Sequence, residues 1–472
     1  MPLLLKNGRI VTENDIFPGS LLIKDGIISR VLSGEDQNFD LENGLQGLKT
    51  IDVSGCLVMP GVIDAHTHYQ LRSRDTVTAG DFYSGTRSAA LGGVTSFIDF
   101  ADHQEDISLG ESARSRRKQA EKNAVIDFNL HQTVHYFDDE IYRQLQEIRD
   151  MGISSIKMFT TYEDAGYFIP QADRAGLMEA CSQLGLLPTV HAEHDEIITS
   201  AHQKISSRLG GESNFKLSDH ADLRPAEAET AAVKRLGRLA REEDVPLYVD
   251  HISAGETMKT VEKLREEGAN IAAETTPHYL CLDRGFLEGA EPEKYFMVPP
   301  LRSRGQRNLL RNYFARESVD TAATDHCAFS LAQKREEKNP LNMLPGIPGS
   351  ETLLALLHHF FVNRNHISYQ QLSRQLSTNP ARLFGLYPQR GSIAEGSRAD
   401  LVVFDPEKKK RLTSDNLHSA AGYSPYAHIT VRGYPQMTIA GGEIIAREGE
   451  LKAEKGRGEF ISAGKSSLFG RK

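Results

Sequence analysis

The chain has 472 residues, 39% of them hydrophobic and 25% charged, the composition of an ordinary soluble globular protein. A formal charge of −9 argues against a nucleic-acid binder, and no apolar run is long enough to span a bilayer. Cys56, Cys181, Cys281 and Cys327 lack C-x-x-C spacing, which argues against a disulfide framework or thiolate zinc site and fits a reducing cytoplasmic setting. The apolar part of MPLLLKNGRIV is too short for a signal peptide.

In chain order, residues 1–57 show short strand-like runs at Leu3 to Leu5, Arg9 to Val11, Ser20 to Ile23 and Ile27 to Leu32. Lys6-Asn7-Gly8 and Lys24-Asp25-Gly26 read as turns between them. Residues 58–389 alternate strand and helix. Apolar strand-like runs start near Val58, Val94, Asp127, Ser154, Leu186, Val245, Asn270 and Asp320. Helical stretches fall at Leu109 to Lys122, Ile141 to Met151, Ala226 to Glu243 and Glu256 to Glu267. Eight such units predict an α/β fold with a closed (β/α)8 barrel. Asp195 to Arg224 is a long insertion, expected to be a lid or an interface. Strand texture returns at Asp400 to Asp405, Ile429 to Arg432 and Thr438 to Ala446, with Gly433 and Gly441-Gly442 as turns. Residues 1–57 and 390–450 are therefore expected to form one small β-sandwich domain. Residues 451–472, rich in Lys, Gly and Ser, read as an extended arm.

Active sites of such barrels lie at the C-terminal ends of the strands. His66 and His68 end the first strand, in PGVIDAHTHYQ; residues two apart share a face, so both imidazoles can converge on one ion. Lys157 ends the fourth strand, His191 the fifth, His251 the sixth, and Asp325 the eighth. Each residue alone has a bland reading: a hydrogen-bonded histidine, a lysine reaching to solvent, a helix-capping aspartate. Together they are more than one catalytic zinc needs, so two divalent ions, zinc by preference, are expected. No spare Glu or second Asp is read at these five strand ends. Lys157 is left to bridge, its amine capturing carbon dioxide as a carbamate (N6-carboxylysine) once burial and nearby cations lower its pKa.

With this set in view, the chain resembles the amidohydrolase superfamily, and within it the cyclic amidohydrolases: dihydropyrimidinase (hydantoinase), allantoinase and dihydroorotase. The resemblance runs from the N-terminal strands through GSRADLVVFDP to GRGEFI. It implies that His66, His68, carboxylated Lys157 and Asp325 hold one metal, and Lys157, His191 and His251 the other, with a hydroxide between them. Tyr162, five residues after the lysine, matches a tyrosine that stabilises the oxyanion; Asp325 would be general base and then general acid. The implied activity is hydrolysis of a C–N bond in a cyclic amide or ureide by a homo-oligomer, a tetramer or dimer. DTVTAGDFYSGTRSAALGGVTSFIDFA looks most like the hydantoinase branch.

Gln70 stands where dihydroorotases carry an arginine, and DHCAF replaces DHAPH, so dihydroorotase is disfavoured and allantoinase is the alternative. Non-enzymatic relatives of this fold have lost metal ligands, whereas all six are present here. Val298 and Pro345 occupy places where the family uses main chain to bind substrate, and the loop around Pro345 looks closer to dihydroorotases. Arg72 and Arg74, directly after the histidine pair, are candidates to bind a carboxylate or ureido group.

Overall fold

The computed structural model describes residues 2–34, 46–103 and 107–470. Residues 35–45 of the expected terminal β domain and the last two of the expected arm lie outside the described residues.

Eight parallel strands run Val62–Thr67, Val94–Ala101, Asp127–Thr133, Ser155–Phe159, Leu187–His191, Leu247–Val249, Ile271–Thr275 and Thr321–Ala322, each paired with the next. Apart from the partly buried Phe159 they are buried along their whole length, which is why they read as apolar runs and not as alternating patterns. The barrel closes between its eighth and first strands. Thr324 donates its backbone N–H and its hydroxyl to the two oxygens of Asp64 at 2.9 and 2.6 Å, and a parallel bridge joins Thr67 to His326. The aspartate of the D-x-H-x-H run is thus the clasp that holds Asp325 beside His66 and His68. Helices cover the outside as their periodicity dictates: in Ile141–Asp150, Ile141, Gln144, Leu145 and Ile148 form the buried stripe. A capping box fixes the start of Leu109–Asn123, where Ser108 accepts from the Glu111 N–H and Glu111 accepts from that of Ser108.

A second, mixed sheet of nine strands draws on both ends of the chain, giving a (β/α)8 barrel with a β-sandwich domain. Three details differ from the sequence reading. The run near Val58 is two strands: Leu57–Pro60 pairs in the mixed sheet, and the barrel strand starts only at Val62. The break falls at Gly61, where a Cβ would sit 2.2 Å from the Thr95 hydroxyl. Lys6-Asn7-Gly8 is a bulge inside the single strand Leu3–Val11, with Asn7 at φ 65°, not a turn. Gly433 likewise lies within Thr430–Ala440, packed where a Cβ would meet the His358 ring at 2.1 Å.

The insertion forms the helix Asp195–Leu209 and the short helix His220–Leu223, which stand over one side of the barrel mouth. The described part of the arm is largely extended and packs along the barrel. It hydrogen-bonds the N-terminal end of the barrel through Glu459 and Ile461 to Phe128, Ala463 to Gly152 and Leu468 to Asn270. Leu468 is wholly buried with Leu383 and Phe384 against Ala65, Ile98, Leu187, Tyr248 and Ala272, closing the barrel from below. Among the described residues no helix is long and apolar enough to cross a membrane.

Removing the Leu468 side chain should therefore cost about 2–5 kcal/mol, as for other buried leucines cut to alanine. Urea unfolding of Leu468→Ala should show the loss; a midpoint equal to the unsubstituted protein would mean the arm is not part of the barrel core.

Candidate active site

All six expected ligand residues gather at the C-terminal mouth of the barrel. His66 and His68 present Nε2 at 3.4 and 3.3 Å from Asp325 Oδ1. His191 Nδ1 and His251 Nε2 face each other at 3.1 Å. The Lys157 amine is buried under Phe100 and Phe159, with its nitrogen 5.1 and 5.2 Å from their ring centroids.

The opposite ring nitrogens show what each histidine is prepared to do. His66 Nδ1 donates to Glu274 Oε1 at 2.9 Å, and His191 Nε2 donates to Glu193 Oε2 at 2.7 Å. Each carboxylate fixes a tautomer whose remaining nitrogen carries a lone pair. His66 Nε2 is then buried without a hydrogen-bond partner, facing a carboxylate oxygen. Two acceptors so placed repel, and a cation between them resolves the repulsion. Burial, with the nearby Lys157 charge, holds His66 well below its usual pKa; burial, with His191, does the same for His251. Both stay neutral, the form that binds metals. The donor set therefore fits divalent ions. A second grouping, His66 with Asp250 and Glu274, also brings donor atoms within 4.8 Å, but it uses the Nδ1 already bonded to Glu274.

The sequence reading missed four residues here. Its premise that no further carboxylate stands at these strand ends is corrected by Asp250, which accepts from Lys157 Nζ at 2.6 Å, and by Glu193. Glu274, on the seventh strand, accepts from His66, the His251 N–H and the Tyr248 hydroxyl. Arg224 pairs with Glu193 at 2.6 Å and lies 5.0 Å over the Tyr162 ring. An alternation of two from His191 reaches Glu193, so that signal was available. Asp250, adjacent to His251, is expected on the opposite face. It shares the site because His251 turns the chain into a left-handed conformation, φ 34°, just past the strand.

A cavity of about 520 Å³ opens beside the cluster, next to Tyr162. Tyr162, Val298 and Pro345 line it, as do Arg224, His202 and Ile198 from the insertion side. Tyr162, at φ 69°, places its ring 5.2 Å from that of His191; burial pushes its phenol well up, so the hydroxyl keeps its proton. Of the two candidate arginines only Arg74 borders the cavity. Its terminal nitrogens are held by the carbonyls of Leu341 and Asn342. Arg72 is exposed on a small hairpin, away from the lining residues.

Comparison with known proteins places this geometry. The model of the amidohydrolase family matches residues 57–445. A D-hydantoinase of Geobacillus stearothermophilus is 33% identical over 473 residues, covering 98% of this chain and 97% of that one. A D-phenylhydantoinase of Escherichia coli O81 (strain ED1a) is 32% identical over 466 residues, 98% of each chain. The crystal structure of a dihydropyrimidinase from Brevibacillus agri NCHU1002 superposes with a TM-score of 0.93 at 29% identity, covering 99% of both chains. The chain belongs to the amidohydrolase family, in its cyclic amidohydrolase group.

If Glu274 and Glu193 orient His66 and His191, Glu274→Gln and Glu193→Gln should each weaken metal binding by about 10- to 100-fold. Titration against a competing chelator measures this. Affinity equal to that of the unsubstituted protein in both variants would reduce the two carboxylates to packing.

Proposed function

We propose that this chain hydrolyses a C–N bond in a dihydropyrimidine- or hydantoin-type ring, giving an N-carbamoyl acid or a related acyclic amide. The observation that carries the reading is the convergence of His66, His68, Lys157, His191, His251 and Asp325 at one barrel mouth, beside a cavity bordered by Tyr162. The names of the relatives support the ring class. His66, His68 and Asp325 would hold one ion, His191 and His251 the other, and Lys157, as its carbamate, would bridge them. When bound, two divalent ions, zinc suiting the imidazole-rich set, supply a water of lowered pKa and polarise the ring carbonyl.

The protein's own groups do the rest. Asp325, 12% exposed toward the mouth, takes a proton from the attacking water and returns it to the departing ring nitrogen. The Tyr162 hydroxyl, kept protonated, donates to the oxyanion as it develops. Val298 and Pro345 line the cavity, where their main chain would border the ring. Asp250 Oδ2, 2.6 Å from Nζ, is the group placed to accept the proton that the Lys157 amine loses as it adds carbon dioxide. The four cysteines are free, which supports a reducing, cytoplasmic setting.

Steady-state assay of the zinc-loaded protein should show turnover of dihydrouracil and 5-phenylhydantoin; turnover of allantoin or dihydroorotate alone would overturn the reading. Lys157→Ala should lose metal and activity together, and a variant that keeps both would remove the carbamate. Tyr162→Phe should keep its metal and lose roughly 10²- to 10³-fold in kcat, the usual cost of one oxyanion donor. An unchanged kcat would exclude Tyr162 from the chemistry.

A further inference from the structure

A further cavity, of about 140 Å³, lies beside the helices Gln171–Leu184 and Ala226–Glu242. Arg174, from the first helix, and Arg235, from the second, both line it, together with Thr160, Phe168 and His194. Arg174 is only 6% exposed. Its Nε donates to the Ile169 carbonyl at 2.8 Å, and its guanidinium lies 5.1 Å from the centre of the Phe168 ring. Among the described residues, neither arginine has a carboxylate oxygen within 4.0 Å. Burial, with the charge of Arg235, pushes the Arg174 guanidinium down to about 10.

A buried guanidinium without an anion is an unfavourable arrangement, because the lost hydration is not replaced. Other groups at the cavity share the same want. His194 Nδ1 is buried without a hydrogen-bond partner, and its Nε2 lies 3.4 Å from Arg235 Nη1. His194 also precedes the helix Asp195–Leu209, whose first turn has no side-chain cap. Of the two carboxylates at the cavity, Asp195 accepts from the Thr161 hydroxyl at 2.8 Å, and Glu196 is exposed.

We infer that this cavity is a binding site for a small oxyanion of the phosphate class, held by Arg174 and Arg235 with His194 at its edge. Guanidinium groups suit such anions because their paired N–H groups match two oxygens at once. The site does not depend on the reaction proposed above. It does adjoin it: the Thr160 hydroxyl donates to the Glu193 carbonyl at 2.8 Å, and Asp195 lines both cavities.

Calorimetric titration of inorganic phosphate into the metal-loaded protein tests the inference, with chloride at matched ionic strength as the blank. Saturable binding is expected, weakened roughly 10- to 100-fold in Arg174→Met and in Arg235→Ala, with metal content unchanged. Arg235 is exposed, so its variant keeps the test valid should Arg174→Met not fold. Absence of binding would overturn the proposal. So would binding of equal strength in the variants, which would put phosphate on the metal centre. A change of oligomeric state in Arg235→Glu, with no phosphate binding by the unsubstituted protein, would give the cavity to a carboxylate of a second copy.

Discussion

Charge taken out of water has to be met by opposite charge, and at this barrel mouth it is met only in part. Asp250, Glu274 and Asp325 all lie within 4.0 Å of the His66 ring nitrogens, and the amine of Lys157 meets Asp250 alone among them. The Lys157–Asp250 pair at 2.6 Å neutralises one carboxylate. Burial and the Asp250 charge push the Glu274 carboxyl well above its usual range. A buried pair of this kind contributes little stability by itself, since desolvation offsets much of the attraction. What the cluster lacks is positive charge, and the neutral imidazoles around it are ligands for positive charge. The same desolvation that disfavours imidazolium therefore prepares the site for cations. Glu274 and Glu193 convert that general preference into direction, because each holds one ring nitrogen and leaves the other aimed inward.

The backbone carries strain at the same place. Tyr162, His251 and Asp325 have left-handed φ angles of 69°, 34° and 48°. Such conformations cost on the order of 1–3 kcal/mol for a non-glycine residue and persist where surrounding structure holds them. Here the holding is visible. The Glu274 carboxylate grips the His251 N–H, Thr324 is clasped by Asp64 just before Asp325, and Arg224 lies over the Tyr162 ring. The Asp64 clasp also closes the barrel, so fold closure and placement of the Asp325 carboxylate are one set of hydrogen bonds.

Much of this was legible in the chain. Parallel strands covered by helices leave long apolar runs, and ionisable residues that end such runs stand out; His66, His68, Lys157, His191, His251 and Asp325 were found that way. Asp250 was not, because alternation stops where the strand stops, and the left-handed turn at His251 has no signature in residue type. Glu274 went unread because the seventh strand offers no histidine, although Ala272 and Glu274 share the inner face of Ile271–Thr275. The Lys6-Asn7-Gly8 and Gly433 readings failed for a common reason: Asn and Gly permit a bulge as readily as a turn, and the partner strand decides. Arg72 and Arg74 were adjacent to the right loop, but sequence proximity gives no orientation. One faces solvent and the other is held by main-chain carbonyls.

The central claim is that Lys157 leaves its ion pair with Asp250 and bridges two cations as a carbamate. A crystal structure of the zinc-loaded protein grown with bicarbonate, with diffraction recorded on both sides of the zinc edge, tests this directly. The account predicts two anomalous peaks per chain, one beside His66 and His68 and one beside His191 and His251, with density extending from Lys157 Nζ between them. A single peak, with Lys157 unmodified and still bonded to Asp250, would contradict it.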